Sequence, residues 1–502
     1  MITGNNTSFN TPPSSNSSNN AGLFRRKEGK PSYLSLKIVT TRATVGMGPF
    51  LWKLLFQLTT LVLLLGFFAL KRYFSHGAFT PWTCSVFGYK CNRLYSIPFH
   101  GYVHKDYVAA EEAFKENFYI GEEVGAATAV YVDGVLVIDM QGGWQDIDKR
   151  IPYTNNTLQL VFSCTKALAS IMVAQFVEKG VLSYDEKIST YWPEFAQGNK
   201  ENVTLDDLMQ HAAGVGYLEN GITSAEAEDP KRFSRILAEQ PHTFGGVRQR
   251  SYHGATNGWY INEILKRVAN CTVNDIADQY NKMYGIEWNL KPYEEEYDAR
   301  ISPLYMGPSL MQIRCAITRG GGFIQFIKDV LFPDQIFRKS LLTSLDRIDP
   351  SDYTTLRLRR IEGPSYSGYT NARSIAKLAA MMANRGKAIV DGEPDLLNDD
   401  TYDLVTQPVP LEYDLLYRRT IDWVKGGWGN YDDFAVEGVQ FVGWGGVGGS
   451  TFFWNQELKI GFGYHMNGIT YWRPPDDRSM RILRAVVKQV LKKKIFLNER
   501  FS

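Results

Sequence analysis

The chain has 502 residues, of which 44% are hydrophobic and 22% charged, so it is long enough for one large globular domain or two medium ones. The formal net charge is +2, from 55 basic and 53 acidic residues, and this balance provides no global field for nucleic acid or acidic ligands. Five cysteines are too few for a disulfide-built fold, and no repeat of solenoid or propeller type is present.

The N-terminal region differs in composition from the rest of the chain. Residues 1–22 are mostly Asn, Ser, Thr and Pro and cannot bury enough apolar surface to fold, so we predict a disordered, basic tail over residues 1–48. The stretch LLFQLTTLVLLLGFFAL, residues 54–70, carries no charge and approaches the ~20 residues that a helix needs to cross a bilayer. We predict a transmembrane signal-anchor over residues 49–72 and a juxtamembrane segment over 73–115.

Two other interpretations of this apolar segment are a buried core helix and a cleaved signal peptide. A polar helix face is missing, and the segment begins far from Met1, so neither is favoured. Basic residues dominate the preceding flank, and the positive-inside rule therefore predicts a cytoplasmic N-terminus with a lumenal or extracellular domain. Glycosylation sequons begin at Asn155, Asn202 and Asn270 on that side. Cys84 and Cys91 either pair there or remain free thiols.

Strand patterns occur early and late in the remaining chain, with helical patterns between them. Residues 125–143 contain two apolar runs joined by Asp133-Gly134, a β-hairpin signal, and residues 441–467 read as two antiparallel strands. Residues 181–380 read as a mostly helical lobe, and residues 479–493 as a closing amphipathic helix. We predict an α+β domain over residues 116–495, with an antiparallel sheet built from both ends, flanking helices and a mostly helical inserted lobe.

The stretch VFSCTKALAS carries a Ser-x-x-Lys pattern, Ser163 and Lys166, at the start of a predicted helix that stops near Gly180. Residues with this spacing share one helix face, and burial would lower the pKa of the lysine so that its neutral amine could activate the serine. The alternative is an ordinary helix cap followed by a solvated lysine. The same spacing recurs at Ser374 and Lys377, within a predicted helix, where a cap or solvated face is the better interpretation.

Further segments carry a resemblance to a known family. VTLDDLMQHAAGV is similar to a stretch that ends in a His-x-Ser/Ala-Gly turn, and GYTNARSIAKLAAMMANRG to a Thr-Ala-Arg-x-Leu-Ala helix. From Thr157 to about Asn467, the chain resembles the class C branch of the serine β-lactamase and penicillin-binding-protein superfamily. This resemblance implies the fold of those enzymes, an acyl-enzyme on Ser163 and Lys166 as the base. Relatives in animal mitochondria make a mitochondrial membrane an alternative location.

The second motif of that superfamily, Tyr-x-Asn, corresponds to Tyr252-His253-Gly254. The resemblance implies that Tyr252 shuttles protons between the nucleophile and the leaving group, whereas the alternative is a packed tyrosine at a strand edge. Gly254 replaces the asparagine and cannot make the amide contact of lactam-recognising enzymes. It leaves room beside the nucleophile.

The third motif, Lys-Thr-Gly or His-x-Gly, corresponds to Trp444-Gly445-Gly446, where an indole replaces the cation or imidazole. This pattern is similar to that of family VIII carboxylesterases and related acyltransferases. Trp444 and Gly446 are then expected beside the substrate. The backbone N–H of Val447 is expected to pair with that of Ser163 as an oxyanion hole.

Other chemistries lack their motifs. The glycine-rich residues 443–449 have no Gly-Lys-Ser/Thr ending, no Gly-x-Ser-x-Gly elbow or His-Glu-x-x-His occurs, and His211 reads as a turn or core residue. We expect no metal, no organic cofactor and no nucleic-acid partner. The predicted function is a membrane-anchored serine hydrolase or acyltransferase for a small acyl substrate, with weak β-lactam hydrolysis. The alternative is a catalytically weak structural or binding protein.

Overall fold

A computed structural model of the protein describes residues 48–89, 91, 96–319, 336, 339, 345, 354–430, 432–469 and 476–501. Nearly all of the predicted disordered tail therefore lies outside the described residues. The helices of the described part are α1 Pro49–Phe74, α2 Trp82–Phe87, α3 Val108–Tyr119, α4 Thr165–Glu178, α5 Ile188–Tyr191, α6 Leu205–Met209, α7 Ser224–Glu228, α8 Pro230–Glu239, α9 Thr256–Ala269, α10 Val273–Tyr284, α11 Ser309–Arg319, α12 Leu356–Arg359, α13 Ala372–Ala383, α14 Asp399–Val405 and α15 Asp477–Phe501.

The strands are short at the periphery and long at the centre. They are β1 Phe99–Val103, β2 Gly125–Val132, β3 Val135–Asp146, β4 Ile151–Pro152, β5 Gln159–Leu160, β6 Trp288–Asn289, β7 Tyr305–Met306, β8 Tyr369–Thr370, β9 Glu412–Asp414, β10 Arg419–Ile421, β11 Val442–Gly445, β12 Thr451–Asn455, β13 Ile460–Met466 and β14 Gly468–Ile469.

Helix α1 is the predicted membrane segment. It has 26 residues, a mean hydropathy of 2.0 over its most apolar window, and no buried residue. By length and composition it is long enough to cross a bilayer. The alternative of a buried core helix is wrong for this helix.

The main sheet has the strand order β1-β3-β2-β13-β12-β11, with β4 paired to β3, and every pair in it is antiparallel. Its central pair joins the two ends of the domain, with Phe462 of β13 opposite Val130 of β2. The hairpin between β2 and β3 turns at Asp133 and Gly134, whose φ values of 50° and 76° are those that a two-residue turn requires. The α+β architecture with a sheet from both chain ends is therefore confirmed.

Both faces of the central strands are covered, and every residue of β2 and β13 is buried. Helices α3 and α15 pack on one face through apolar residues such as Phe114 and Val486. Helix α13 packs on the other face and approaches closely because β13 has glycines there. A Cβ atom on Gly461 would lie 2.2 Å from the backbone nitrogen of Ala380. The helical lobe has its own core, centred on α4.

The structure adds detail that the sequence patterns did not contain. Residues 441–467 form three strands rather than two, because the glycine-rich segment around Trp444 is the edge strand β11. The opposite edge strand, β1, lies within the predicted juxtamembrane segment, so the folded sheet extends upstream of residue 116. Cys84 and Cys91 in that segment form a disulfide.

Candidate active site

Ser163 lies in a tight turn, Phe162–Cys164, immediately before helix α4. Phe162 has a φ of 46°, a left-handed conformation that costs an aromatic residue energy and that proteins retain mainly at functional sites. Helix α4 has no side-chain cap at its N-terminus, and the Ser163 hydroxyl instead accepts a hydrogen bond from Tyr252. Ser163 is therefore not an ordinary helix cap.

Lys166 lies in the first turn of α4 and is buried, with 4% of its surface exposed. Its Nζ donates to the backbone carbonyl oxygens of Gly254 at 2.6 Å and Ser365 at 3.0 Å, and lies 3.5 Å from Ser163 Oγ. Burial lowers the pKa of Lys166 well below its usual value. A neutral amine has two N–H bonds and one lone pair. Two of the three polar contacts of Nζ are with carbonyls and the third is with Ser163 Oγ, where a deprotonated amine would present its lone pair.

Tyr252 brings a phenol to the same serine from a loop 89 residues away, just before helix α9. Its hydroxyl donates to Ser163 Oγ at 2.9 Å and accepts from the indole N–H of Trp444 at 3.3 Å. Burial raises the pKa of Tyr252 above its usual value, so the phenol keeps its proton. The residue lies in a loop, not at a strand edge, although its ring is packed.

Backbone and ring contacts of two histidines hold the Tyr252 loop. The His253 N–H donates to His211 Nδ1 at 3.1 Å, and His253 Nε2 accepts from the Val215 N–H at 3.3 Å. His211 has a φ of 60° and is buried, as a turn or core residue should be, and its ring centroid lies 4.7 Å from that of Tyr252. The His211 turn is therefore a support for Tyr252.

The end of strand β11 lies beside the Ser163 turn. The Cys164 thiol donates to the Trp444 carbonyl at 3.5 Å, and the Ser450 hydroxyl donates to the Val161 carbonyl at 2.7 Å. A Cβ atom on Gly446 would lie 2.1 Å from that carbonyl oxygen, so only glycine fits. Val447 opens the turn after β11 and is half-buried. The strand end is thus adjacent to the nucleophile turn.

The geometry unites a serine, a buried lysine and a tyrosine with one adjacent strand end. A profile of the family described as "Beta-lactamase" matches residues 111–486, well over half of the chain. The chain belongs to the beta-lactamase family. Within the described residues, no group of three or more metal-ligating side chains lies together.

Individual relatives of this beta-lactamase family member are distant. It is 25% identical over 281 residues to "Esterase/beta-lactamase LipL" of Mycobacterium tuberculosis, covering 53% of this chain and 60% of that protein. It is 30% identical over 127 residues to the human "Serine beta-lactamase-like protein LACTB, mitochondrial", covering 24% of this chain and 23% of that protein. The chain therefore spans less than two thirds of the curated relatives it matches.

Solved structures agree with the family assignment. A penicillin-binding-protein homologue from Caulobacter crescentus matches with a TM-score of 0.65 and 25% identity, over 78% of this chain and 100% of that one. A family VIII carboxylesterase matches with a TM-score of 0.65 and 23% identity, over 78% of this chain and 100% of that one. The fold is therefore the β-lactamase and penicillin-binding-protein fold.

Trp444 and Gly254, two motif positions of this family member, have the following contacts. Trp444 is only 2% exposed and stacks on Trp423, with ring centroids 4.6 Å apart, so little of its indole surface is exposed. Its indole N–H donates to the Tyr252 hydroxyl. Gly254 contributes a carbonyl acceptor for Lys166, and a Cβ atom there would meet its nearest neighbour, a Tyr252 ring carbon, at 3.8 Å. A Cβ atom at position 254 would therefore make an ordinary van der Waals contact without a clash.

Sequence reasoning missed several supporting residues. The Ser365 carbonyl holds Lys166, and the ring of Tyr417 lies 5.0 Å from that of Tyr252, on the hairpin formed by β9 and β10. A contact through a backbone carbonyl does not depend on residue type, so the sequence cannot reveal it. No sequence motif around Tyr417 distinguishes it from the other 27 tyrosines of the chain. Only tertiary contacts reveal these roles.

The second Ser-x-x-Lys pattern lies away from this site. Ser374 Oγ accepts from the Glu287 N–H at 2.8 Å and donates to Asn371 Oδ1, within the N-terminal cap of α13. Lys377 pairs with Glu393 at 2.5 Å and is half-buried, with 11% of its side chain exposed, so it does not lie on a fully solvated face. Both groups are committed to structural contacts.

Proposed function

We propose that this protein is a membrane-anchored serine hydrolase that forms an acyl-enzyme on Ser163 with esters or related acyl compounds. The observation that carries the proposal is the position of Ser163 Oγ between two groups. It accepts a hydrogen bond from the Tyr252 hydroxyl at 2.9 Å and lies 3.5 Å from the buried amine of Lys166. A serine needs an adjacent base to act as a nucleophile, and burial, which lowers the pKa of Lys166, favours the neutral, basic form of its amine.

In the proposed first step, Ser163 Oγ attacks the carbonyl carbon of the ester while its proton moves to Lys166 Nζ. The negative charge on the substrate oxygen is stabilised by the backbone N–H groups of Ser163 and Val447. The tetrahedral intermediate then expels the alcohol, which takes a proton relayed from Lys166 through Tyr252. Water, or an acceptor alcohol in an acyl transfer, attacks the acyl-enzyme in the reverse order of proton movements.

Uncharged acyl substrates suit this site better than β-lactams. The third motif brings no cation for a lactam carboxylate, since Trp444 is neutral and its N–H is directed to Tyr252. Gly254 brings no amide, and a Cβ atom there would fit without a clash. Both changes reduce polar recognition while leaving room for an acyl chain.

The proposed anchor is α1, with the catalytic domain on the lumenal or extracellular side. The basic flank before α1 supports this orientation. All three sequon asparagines, Asn155, Asn202 and Asn270, are exposed, and Cys84 pairs with Cys91, as suits an oxidising compartment. Digestion of sealed membranes with protease from the cytoplasmic side should spare the domain. Digestion of the domain in that assay would show that it lies on the cytoplasmic side instead.

A fluorophosphonate probe tests the chemistry directly. We expect labelling of the full chain and none of Ser163→Ala. Turnover of p-nitrophenyl esters should exceed that of a cephalosporin by at least ~10² in kcat/KM, about 2.7 kcal/mol in transition-state binding. Absence of labelling in a folded chain would favour the alternative of a catalytically weak binding protein, and efficient cephalosporin turnover without esterase activity would contradict the acyl specificity.

A further inference from the structure

A second cavity lies apart from Ser163, where strands β2, β3 and β13 meet the end of α10 and the start of α13. Its volume is about 560 Å³, within the range of small-molecule sites. We call it the Asn289 cavity after one of its lining residues. Its walls include Tyr131, Asp139, Asn289, Tyr297, Arg373 and His465. Ser163, Lys166, Tyr252 and Trp444 are not among its lining residues within the described part of the chain.

Asn289 brings an unsatisfied donor to this cavity. It is 7% exposed, and its Oδ1 accepts from the Asn281 side chain at 3.4 Å. Its Nδ2 has no hydrogen-bond partner among the described residues. Buried amide groups are nearly always paired, so a buried NH₂ on a cavity wall points to a ligand acceptor.

His465 brings an unsatisfied acceptor to the same cavity. It is fully buried, and its Nδ1 lies 3.0 Å from the Tyr153 hydroxyl. That hydroxyl donates to Gln159 Oε1 at 3.0 Å, so the His465 Nδ1 carries the proton and donates to the tyrosine oxygen. The opposite nitrogen, Nε2, is then a lone-pair acceptor, and it has no partner among the described residues.

The charged groups on the cavity wall are already neutralised. Asp139 pairs with Arg373 through a 2.7 Å hydrogen bond, Glu287 pairs with Arg300 at 2.5 Å, and Lys377 pairs with Glu393. Burial lowers the pKa of His465 to about 3, which keeps its ring neutral. The wall therefore offers neutral donors and acceptors, together with the rings of Tyr131 and Tyr297, and no unpaired charge that would select an ion.

We propose that the Asn289 cavity binds a saccharide unit, a neutral molecule with several hydroxyl groups. One hydroxyl would donate to His465 Nε2, another would accept from Asn289 Nδ2, and the C–H face of the ring would pack on a tyrosine. The sugar has two potential sources. It is either a free saccharide or the glycan of this chain's own sequon, because Asn155 is exposed and, with Thr157, lines the cavity.

The test uses the full chain, produced without glycans in bacteria and held in detergent micelles. Calorimetric titration with N-acetyl-D-glucosamine, D-mannose and myo-inositol should show saturable binding of at least one of them. Asn289→Asp keeps an oxygen acceptor for Asn281 and replaces the free N–H donor with a charged carboxylate oxygen, so affinity for a neutral sugar should fall at least ~10-fold. Tyr297→Ala, at the partly exposed rim, should also weaken binding.

Ser163→Ala should bind the sugar like the parent chain, and Asn289→Asp should keep full esterase activity, so this proposal and the proposed function fail separately. Lack of saturable binding by all three neutral probes would overturn it. Equal sugar affinities of the parent chain, Asn289→Asp and Tyr297→Ala would overturn the proposal as well. So would tighter binding of D-glucuronate than of the neutral probes.

Glycosylated chain from a eukaryotic host distinguishes the two sources. If the Asn155 glycan is the occupant, the glycosylated chain should not bind the free probe, and Asn155→Gln should restore the affinity of the bacterial protein. If a free saccharide is the occupant, both forms should bind the probe equally. Either pattern supports the saccharide site.

Discussion

Replacing Tyr252 with phenylalanine separates the chemical role of its hydroxyl from the packing of its ring. The change removes the 2.9 Å hydrogen bond to Ser163 and the acceptor of the Trp444 N–H, and leaves the ring in contact with its aromatic neighbours. Removing the acceptor of a buried N–H should cost about 1–3 kcal/mol of folding stability. Losing proton transfer should lower acylation by ~10² to 10⁴, about 2.7–5.4 kcal/mol in activation free energy.

The chain contains a matched control for that variant. Trp454 donates its indole N–H to the Tyr402 hydroxyl at 3.3 Å, the same distance as in the Trp444–Tyr252 pair, and Tyr402 is also buried. Tyr402→Phe should therefore lose similar stability and keep its acylation rate. Thermal unfolding and fluorophosphonate labelling rates measure the two effects. Equal labelling rates in the two variants, at equal stability, would refute the proton-shuttle role of Tyr252.

Three further predictions concern Lys166 and Gly254. Lys166→Met should lower acylation by ~10² to 10⁴. Lys200→Met is the control and should not lower it, although Lys200 is likewise buried and donates to the carbonyls of Ala238 and Gln240. A similar loss in both variants would point to a folding effect, and Lys377→Ala should leave the labelling rate unchanged. Because acylation needs the neutral amine, kcat/KM should rise with pH to a plateau reached well below the ordinary lysine pKa of 10.5, and a plateau only above that value would contradict a depressed Lys166. Gly254→Asn should fold with a stability within about 1 kcal/mol of the parent chain, since its Cβ has room, and marked destabilisation on thermal unfolding would show that the space is not open.

The Lys166 and Tyr252 contacts suggest how the site works without a cation at the third motif. Burial favours the neutral lysine and the protonated phenol, so the proton of Ser163 has one favourable acceptor, Lys166. The Trp444 N–H stabilises charge on the Tyr252 oxygen only while a proton passes through it. In the proposed mechanism, Tyr252 therefore relays protons and Lys166 is the base.

Local sequence determined those features that depend on neighbours along the chain. Helical geometry brings Lys166 beside Ser163, Asp133-Gly134 adopts the backbone that a two-residue hairpin requires, and the uncharged run gives a long apolar helix. The resemblance to a known family added Tyr252 and the Trp444 strand end, because motif order survives where overall identity is low. Their proximity to Ser163 in the structure agrees with that resemblance.

Tertiary structure decided the rest, because those features depend on segments that are far apart in the chain. Lys166 is held by carbonyls 88 and 199 residues away, and a carbonyl belongs to every residue type, so no sequence pattern predicts the contact. The same holds for Trp444, which the packed fold buries against Trp423 rather than exposing to substrate. Burial sets whether the lysine is neutral, and the sheet and helix packing joins Asn289 to His465 in one cavity. These properties come from the surroundings of a side chain, which exist only once the chain has folded.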